Sequence, residues 1–154
     1  MGIYDREYYR DEQKGVYLGG DRMMVTNIIL FTVGVYILDL FLGDQQPLDK
    51  VFALKSNLGT EPWKAYQLLT YGFLHEERDL LHIAFNMLVL WFAGREVEAK
   101  YGRKEFLSLY LSLIVLSGLV WVITENAFAK NLATVIGASG AVTGMLVLFA
   151  LNFP

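Results

Sequence analysis

From Phe106 to Thr124 the chain runs nineteen residues without a charge. An α-helix needs roughly 17–25 mostly apolar residues to cross the hydrocarbon core of a bilayer. Three further charge-free runs accompany this one. Met23 to Leu38 stays apolar past Asp39 to Leu42; the others are Leu80 to Gly94 and Asn131 to Pro154. The first, third and fourth runs in chain order meet the length requirement. The second is short and must borrow from its flanks, with Arg95 snorkelling toward the interface. Helices buried in a soluble bundle would each keep a polar face. The run from Phe106 interrupts its apolar surface only with isolated serines, Ser108, Ser112 and Ser117. These features predict an all-α, polytopic transmembrane bundle spanning residues 23–154, with helices at about 24–42, 80–96, 106–124 and 135–153.

Composition narrows the function classes. Hydrophobic residues make up 55% of the chain and charged residues 19%, against about 45–50% and 25% for a typical soluble domain. Mean hydropathy is +0.37. A net charge of −3 offers no basic field for nucleic acid. Cysteine is absent, which excludes disulfide scaffolds, thiolate metal sites and cysteine nucleophiles. With two histidines only, His75 and His82, no multi-histidine metal site is expected, and no cofactor is implied. There is no internal repeat.

Residues 1–22 are dense in both charges and in tyrosine and lack a signal-peptide cleavage pattern, so they read as a polar arm. Arg6, Arg10, Lys14 and Arg22 precede the first helix. Arg95, Lys100, Arg103 and Lys104 crowd the link from Gly94 to Glu105, whereas Lys130 alone marks the next link. The positive-inside rule then places the N-terminus and the Gly94–Glu105 link in the cytoplasm. The loop over 43–79 lies on the other side. Its apolar and aromatic stretches, Val51–Leu54 and Trp63–Leu74, suit a segment lying in the membrane interface; a small extramembrane subdomain is the alternative.

Polar side chains in hydrocarbon are costly, so each one calls for a reason. His82 and Asn86 are four apart and share one helix face. They act either as interhelical hydrogen-bonding glue or as paired donors for a developing negative charge. The fourth run contains Gly137-Ala138-Ser139-Gly140, then Gly144. Small residues one turn apart let another backbone approach closely. Alternatively, Ser139 is a nucleophile with open access and a backbone N–H beside it. The topology places His82 and Ser139 at similar depth near the outer face. Asp39 and Glu125 fall within a turn of loops and are expected at the interface or beyond it.

His82-Ile-Ala-Phe-Asn86-Met followed by Gly137-Ala-Ser139-Gly140 resembles the rhomboid intramembrane serine proteases. Supporting segments are Pro62-Trp63-Lys64, Gln67-Leu-Leu-Thr-Tyr71-Gly-Phe-Leu-His75, the Gly94, Glu98 and Gly102 series, and Phe106-Leu-Ser-Leu-Tyr110. The resemblance runs from about Trp63 to Pro154. It implies Ser139 as nucleophile, and an oxyanion hole made by the Ser139 N–H, His82 and Asn86, with Gly137 in the oxyanion loop. It also implies transmembrane protein substrates, a lipid bilayer as solvent and no cofactor.

Two departures stand out. The family's general base is a histidine on its sixth transmembrane helix, and no histidine follows Ser139 here. The expectation is an N-terminal portion truncated after the fourth helix, inert as a protease and marginally folded alone. The alternative is a rhomboid-like pseudoprotease that binds transmembrane clients without cleaving them. An unrelated four-helix membrane protein is the third reading. Lys64 replaces the arginine common after the tryptophan, and lysine lacks the planar fork. The resemblance implies at most an auxiliary role for His75, which is expected as an interfacial polar residue.

Overall fold

The computed structural model describes residues 23–42, 47–76, 79–129 and 132–153, so the polar arm over 1–22 lies outside the described residues. The described residues form six α-helices and a two-residue strand pair, besides short 3₁₀ and π turns: α1 (Met24–Leu42), α2 (Pro47–Phe52), β1 (Leu54–Lys55), α3 (Gln67–Thr70), α4 (Leu80–Tyr101), α5 (Arg103–Thr124), β2 (Thr134–Val135) and α6 (Ser139–Asn152). α4 packs against α1, α5 and α6, and α5 also packs against α6.

The usual arrangement of polar and apolar faces is inverted. α1 buries Val25, Ile28, Thr32, Tyr36 and Asp39, a single stripe at helical spacing. Its outward positions are apolar as well, Leu30 and Phe31 among them, and Leu81, Phe85 and Leu88 are exposed on α4. Buried polar groups sit inside the bundle: Thr32, Asn86 and Glu98. A helix with such a surface belongs in lipid rather than water. α1, α4 and the helix continuing from α5 to Ala129 are long and apolar enough to cross a membrane.

Three boundaries differ from the sequence expectation. α4 does not end near residue 96 but runs through Glu96, Glu98 and Lys100 to Tyr101. The expected twelve-residue link shrinks to Gly102, whose φ of +90° lets the chain reverse. The second apolar run therefore meets the length requirement after all. α6, by contrast, starts at Ser139 rather than near 135 and has 14 residues, about 21 Å at 1.5 Å per residue. That is short of a hydrocarbon core of about 30 Å. Its expected first turn is diverted into β2, which pairs antiparallel with β1 (Leu54 opposite Val135). Glu125 is not in a loop, since a π-helical turn over Glu125–Ala129 prolongs α5. Asp39 is not at an exposed interface either. It is buried, with the Leu48 backbone beside its carboxylate, because α2 folds over that end of α1.

Small residues set the helix spacing. A Cβ on Gly140 would lie 2.6 Å from Ser117 Cβ, and one on Gly144 would lie 2.6 Å from Leu113 Cδ2, so α6 rides directly on α5. At the opposite end of α4, Glu98 spans the gap to α1. Its two carboxylate oxygens accept from the backbone N–H groups of Met24 (2.7 Å) and Val25 (2.8 Å). A helix start leaves N–H groups without intrahelical partners, and a negative charge there also meets the helix dipole favourably. Glu98→Ala would strand both donors, at a cost on the order of 2–4 kcal/mol. The thermal unfolding midpoint of the full-length protein in detergent should fall clearly for this variant and less for Glu98→Gln, which keeps one acceptor. An unchanged midpoint for Glu98→Ala would remove the carboxylate from this role.

Candidate functional site

α4 and α6 run in the same direction, with contacts at both ends. At their far ends the Tyr101 hydroxyl donates to Asn152 Oδ1 at 2.8 Å. At their near ends lie His82 and Ser139, one turn inside each helix start or closer. Their meeting point is Gly137. Its φ is +119°, a conformation that side chains oppose. A Cβ there would lie 3.3 Å from His82 Cε1, 3.6 Å from His82 Nε2 and 4.0 Å from Ser139 Oγ. A missing side chain thus opens a small space flanked by an imidazole and a hydroxyl that are 57 residues apart in sequence. Ser139 is exposed and His82 half-buried. Among the described residues the Ser139 hydroxyl makes no hydrogen bond.

Several contacts hold this turn in place. The Gly137 N–H donates to the Tyr71 carbonyl at 3.0 Å. The Tyr71 hydroxyl reaches the Ile114 carbonyl at 2.9 Å and Ser117 Oγ at 2.8 Å, and Ser117 in turn faces Gly140. Immediately before β2, Ala133 exchanges hydrogen bonds with Ser56, 3.0 Å each way. The loop over 47–76 therefore reaches in from one side and α5 from the other, and the nucleophile candidate sits at the end of a clamped segment.

The start of α4 is equally defined. Asp79 caps it, accepting from the His82 N–H at 2.9 Å. Asn86, one turn on from His82, is buried, and its Nδ2 lies 3.2 Å from His75 Nε2. The His75 ring also meets the His82 ring edge to face, centroids 5.5 Å apart. His75 is 1% exposed, which corrects its assignment as an interfacial polar residue. Its loop turns inward after the 3₁₀ turn at Tyr71–Phe73, carrying the ring under α4.

All four residues singled out in the sequence, Ser139, His82, Asn86 and Gly137, lie at this end of the bundle, and the structure joins His82 and Ser139 directly through Gly137. Sequence reasoning missed His75, Tyr71 and Ser117 as parts of the same assembly. Tyr71 and His75 stand in a segment that carries the family resemblance, whereas Ser117 was marked only by its polarity in an apolar stretch. An open apolar recess bordered by Asp79, Leu81, His82, Ala84, Phe85 and Leu88 adjoins the site on the outer face of α4. A more enclosed apolar cavity of about 260 Å³ lies elsewhere, between α1 and the 47–76 loop, and holds no candidate catalytic group. Among the described residues no cluster of side chains could hold a metal ion.

Comparisons with known proteins bear on the family. A family model described as the Rhomboid domain matches residues 62–154. The rhomboid protease GluP of Bacillus subtilis (strain 168) is 36% identical over 95 residues, covering 62% of this chain and 17% of that protein. The rhomboid protease GlpG of Klebsiella pneumoniae (strain ATCC 700721 / MGH 78578) is 31% identical over 94 residues, covering 60% and 32%. The mitochondrial presenilin-associated rhomboid-like protein A of Danio rerio is 33% identical over 76 residues, covering 49% and 20%. The chain thus spans between about a sixth and a third of the length of these relatives.

Burial, and next the nearby His82, push His75 down from 6.5 to about 4; the Phe73 carbonyl offsets this only in part. The folded protein therefore keeps His75 neutral where the unfolded chain would protonate it. The resulting stability is complete above pH 6.5 and declines as pH falls toward 4, by about 3 kcal/mol at most. Unfolding of the full-length protein in detergent between pH 7 and 4 should show this decline, and His75→Gln should flatten it.

Proposed function

This chain belongs to the rhomboid family of integral membrane proteins, and on that footing we propose that it carries the nucleophile and oxyanion hole of an intramembrane serine endopeptidase. Ser139 Oγ attacks the scissile carbonyl of a transmembrane substrate. The negative oxygen that forms is met by the Ser139 backbone N–H, the His82 imidazole and the Asn86 amide. Gly137, lacking a Cβ, leaves room for that oxygen. The observation that carries the reading is the space at Gly137, with His82 and Ser139 Oγ both on its border. Donors fixed in place before the reaction cost no reorganisation when charge develops, and a water-poor surround strengthens them. The apolar recess beside His82 gives a substrate segment an approach from the lipid side.

A serine hydroxyl attacks poorly unless a base takes its proton. Neither imidazole in the 154 residues forms a hydrogen bond with Ser139 among the described residues. The reading therefore requires a proton acceptor outside them, which the family resemblance supplies as a histidine on a later helix. We hold the isolated 154-residue polypeptide to be inactive for that reason. A client-binding, non-proteolytic protein is the second reading, favoured by the same unpartnered Ser139 hydroxyl.

In the full-length protein, a fluorophosphonate probe should label Ser139, and Ser139→Ala should abolish both labelling and cleavage of a transmembrane substrate. His82→Ala should lower kcat by about two to three orders of magnitude. Cleavage that survives Ser139→Ala would overturn the proposal. Absent labelling together with retained client binding would favour the second reading.

The orientation follows the same reading, with the start of α1 and the Gly102 turn in the cytoplasm and the site near the opposite face. The 154 residues contain no cysteine, so in an otherwise cysteine-free protein single cysteines at the exposed positions Thr60 and Lys104 report each side. An impermeant thiol reagent added to intact cells should modify the cysteine at 60 and spare the one at 104. The reverse pattern would invert the topology.

A further inference from the structure

His75 belongs to neither the proposed nucleophile nor the proposed oxyanion hole, yet it touches both side-chain donors. Asn86 Nδ2, a donor only, faces His75 Nε2 at 3.2 Å, and this contact is a hydrogen bond in the tautomer that carries the ring proton on Nδ1 and leaves Nε2 to accept. An asparagine amide has one end that donates and one that accepts. Committing one N–H to His75 fixes which way the amide is turned and leaves its second N–H uncommitted among the described residues. The His75 ring is itself immobilised by burial and by its edge-to-face contact with His82.

We propose that His75 is a positioning residue for the oxyanion hole: its Nε2 holds the Asn86 amide with an N–H, and not the carbonyl oxygen, available to the reacting carbonyl. This rests on the proposed protease reading. With no acceptor at position 75, the Asn86 amide can rotate about its last torsion. Part of the population then presents its oxygen to a developing negative charge, which repels where it should stabilise. The defect is confined to the transition state, because a ground-state carbonyl makes little use of the hole.

The test is a double-mutant cycle on kcat in the full-length protein reconstituted in liposomes. His75→Phe keeps a ring against His82 and removes the acceptor; His75→Leu answers the same question if phenylalanine does not fit. Either should lower kcat by roughly ten- to a hundredfold with KM within about twofold. Asn86→Ala should lower kcat by about two to three orders of magnitude. In the Asn86→Ala background, His75→Phe should cost little further, since no amide remains to be oriented. His75→Gln, which returns an acceptor oxygen, should recover a large part of the loss. Melting temperatures measured alongside separate misfolding from misorientation. Multiplying losses in the double variant, or full kcat in folded His75→Phe or His75→Leu, would overturn the positioning role. Cleavage by Ser139→Ala would instead overturn the protease reading, a distinguishable result.

Discussion

Hydrocarbon offers no partner to a polar group, so a chain with this surface must satisfy its polar atoms internally or pay for each one left over. That constraint organises the bundle. Thr32 returns its hydroxyl to the Ile28 carbonyl, and Ser117 does the same to Leu113 and Ile114. Glu98 gives both oxygens to the open start of α1. This last contact fixes α1 against α4, the helix that also carries Asn86 and His82 about 18 and 24 Å away along its axis, at about 1.5 Å per residue. Polar groups that bridge elements occur where those elements have to hold still.

Close approach is the second organiser. Without a hydrophobic force to press helices together in lipid, association depends on dense packing and on hydrogen bonds between elements. Gly140 and Gly144 let α6 settle onto Ser117 and Leu113 of α5. Ser117 then reaches Tyr71, and the Tyr71 carbonyl takes the Gly137 N–H. The turn at Gly137 is thereby held from both sides. The proposed chemistry depends on this chain of contacts, since the His82 ring and the Ser139 hydroxyl meet only across the empty side of that glycine.

Much of the architecture was legible in the residues. The charge-free runs located α1 and α5 to within a few residues, because length and apolarity in one continuous segment suffice to mark a helix in lipid. The spacing of His82 and Asn86 placed both on one face of α4, and the small residues after Val135 marked a site of close packing. The ends of α4 and α6 were misjudged for opposite reasons. Glu96, Glu98 and Lys100 looked like the edge of the membrane, but Glu98 is buried against α1 and the helix continues past it. Val135 looked like the start of a helix, but pairing of Thr134–Val135 with the distant Leu54–Lys55 puts it in a strand.

His75 and Asp39 show where sequence reasoning stops. Each sits near a predicted boundary, and local pattern assigns both to the interface. Each is buried because a loop folds back over it, and loop paths depend on contacts between residues far apart in the chain. The sequence by itself determined the solvent, the helical class and the chemical types available for a site, because hydrophobicity, charge and spacing are local properties. Only the tertiary structure decided that buried His75 joins His82, Asn86, Gly137 and Ser139 at one end of the bundle, and how these groups face one another. Gathering them requires the loop over 47–76, α4 and α6 to converge, and that convergence is fixed by helix packing and by hydrogen bonds spanning dozens of residues.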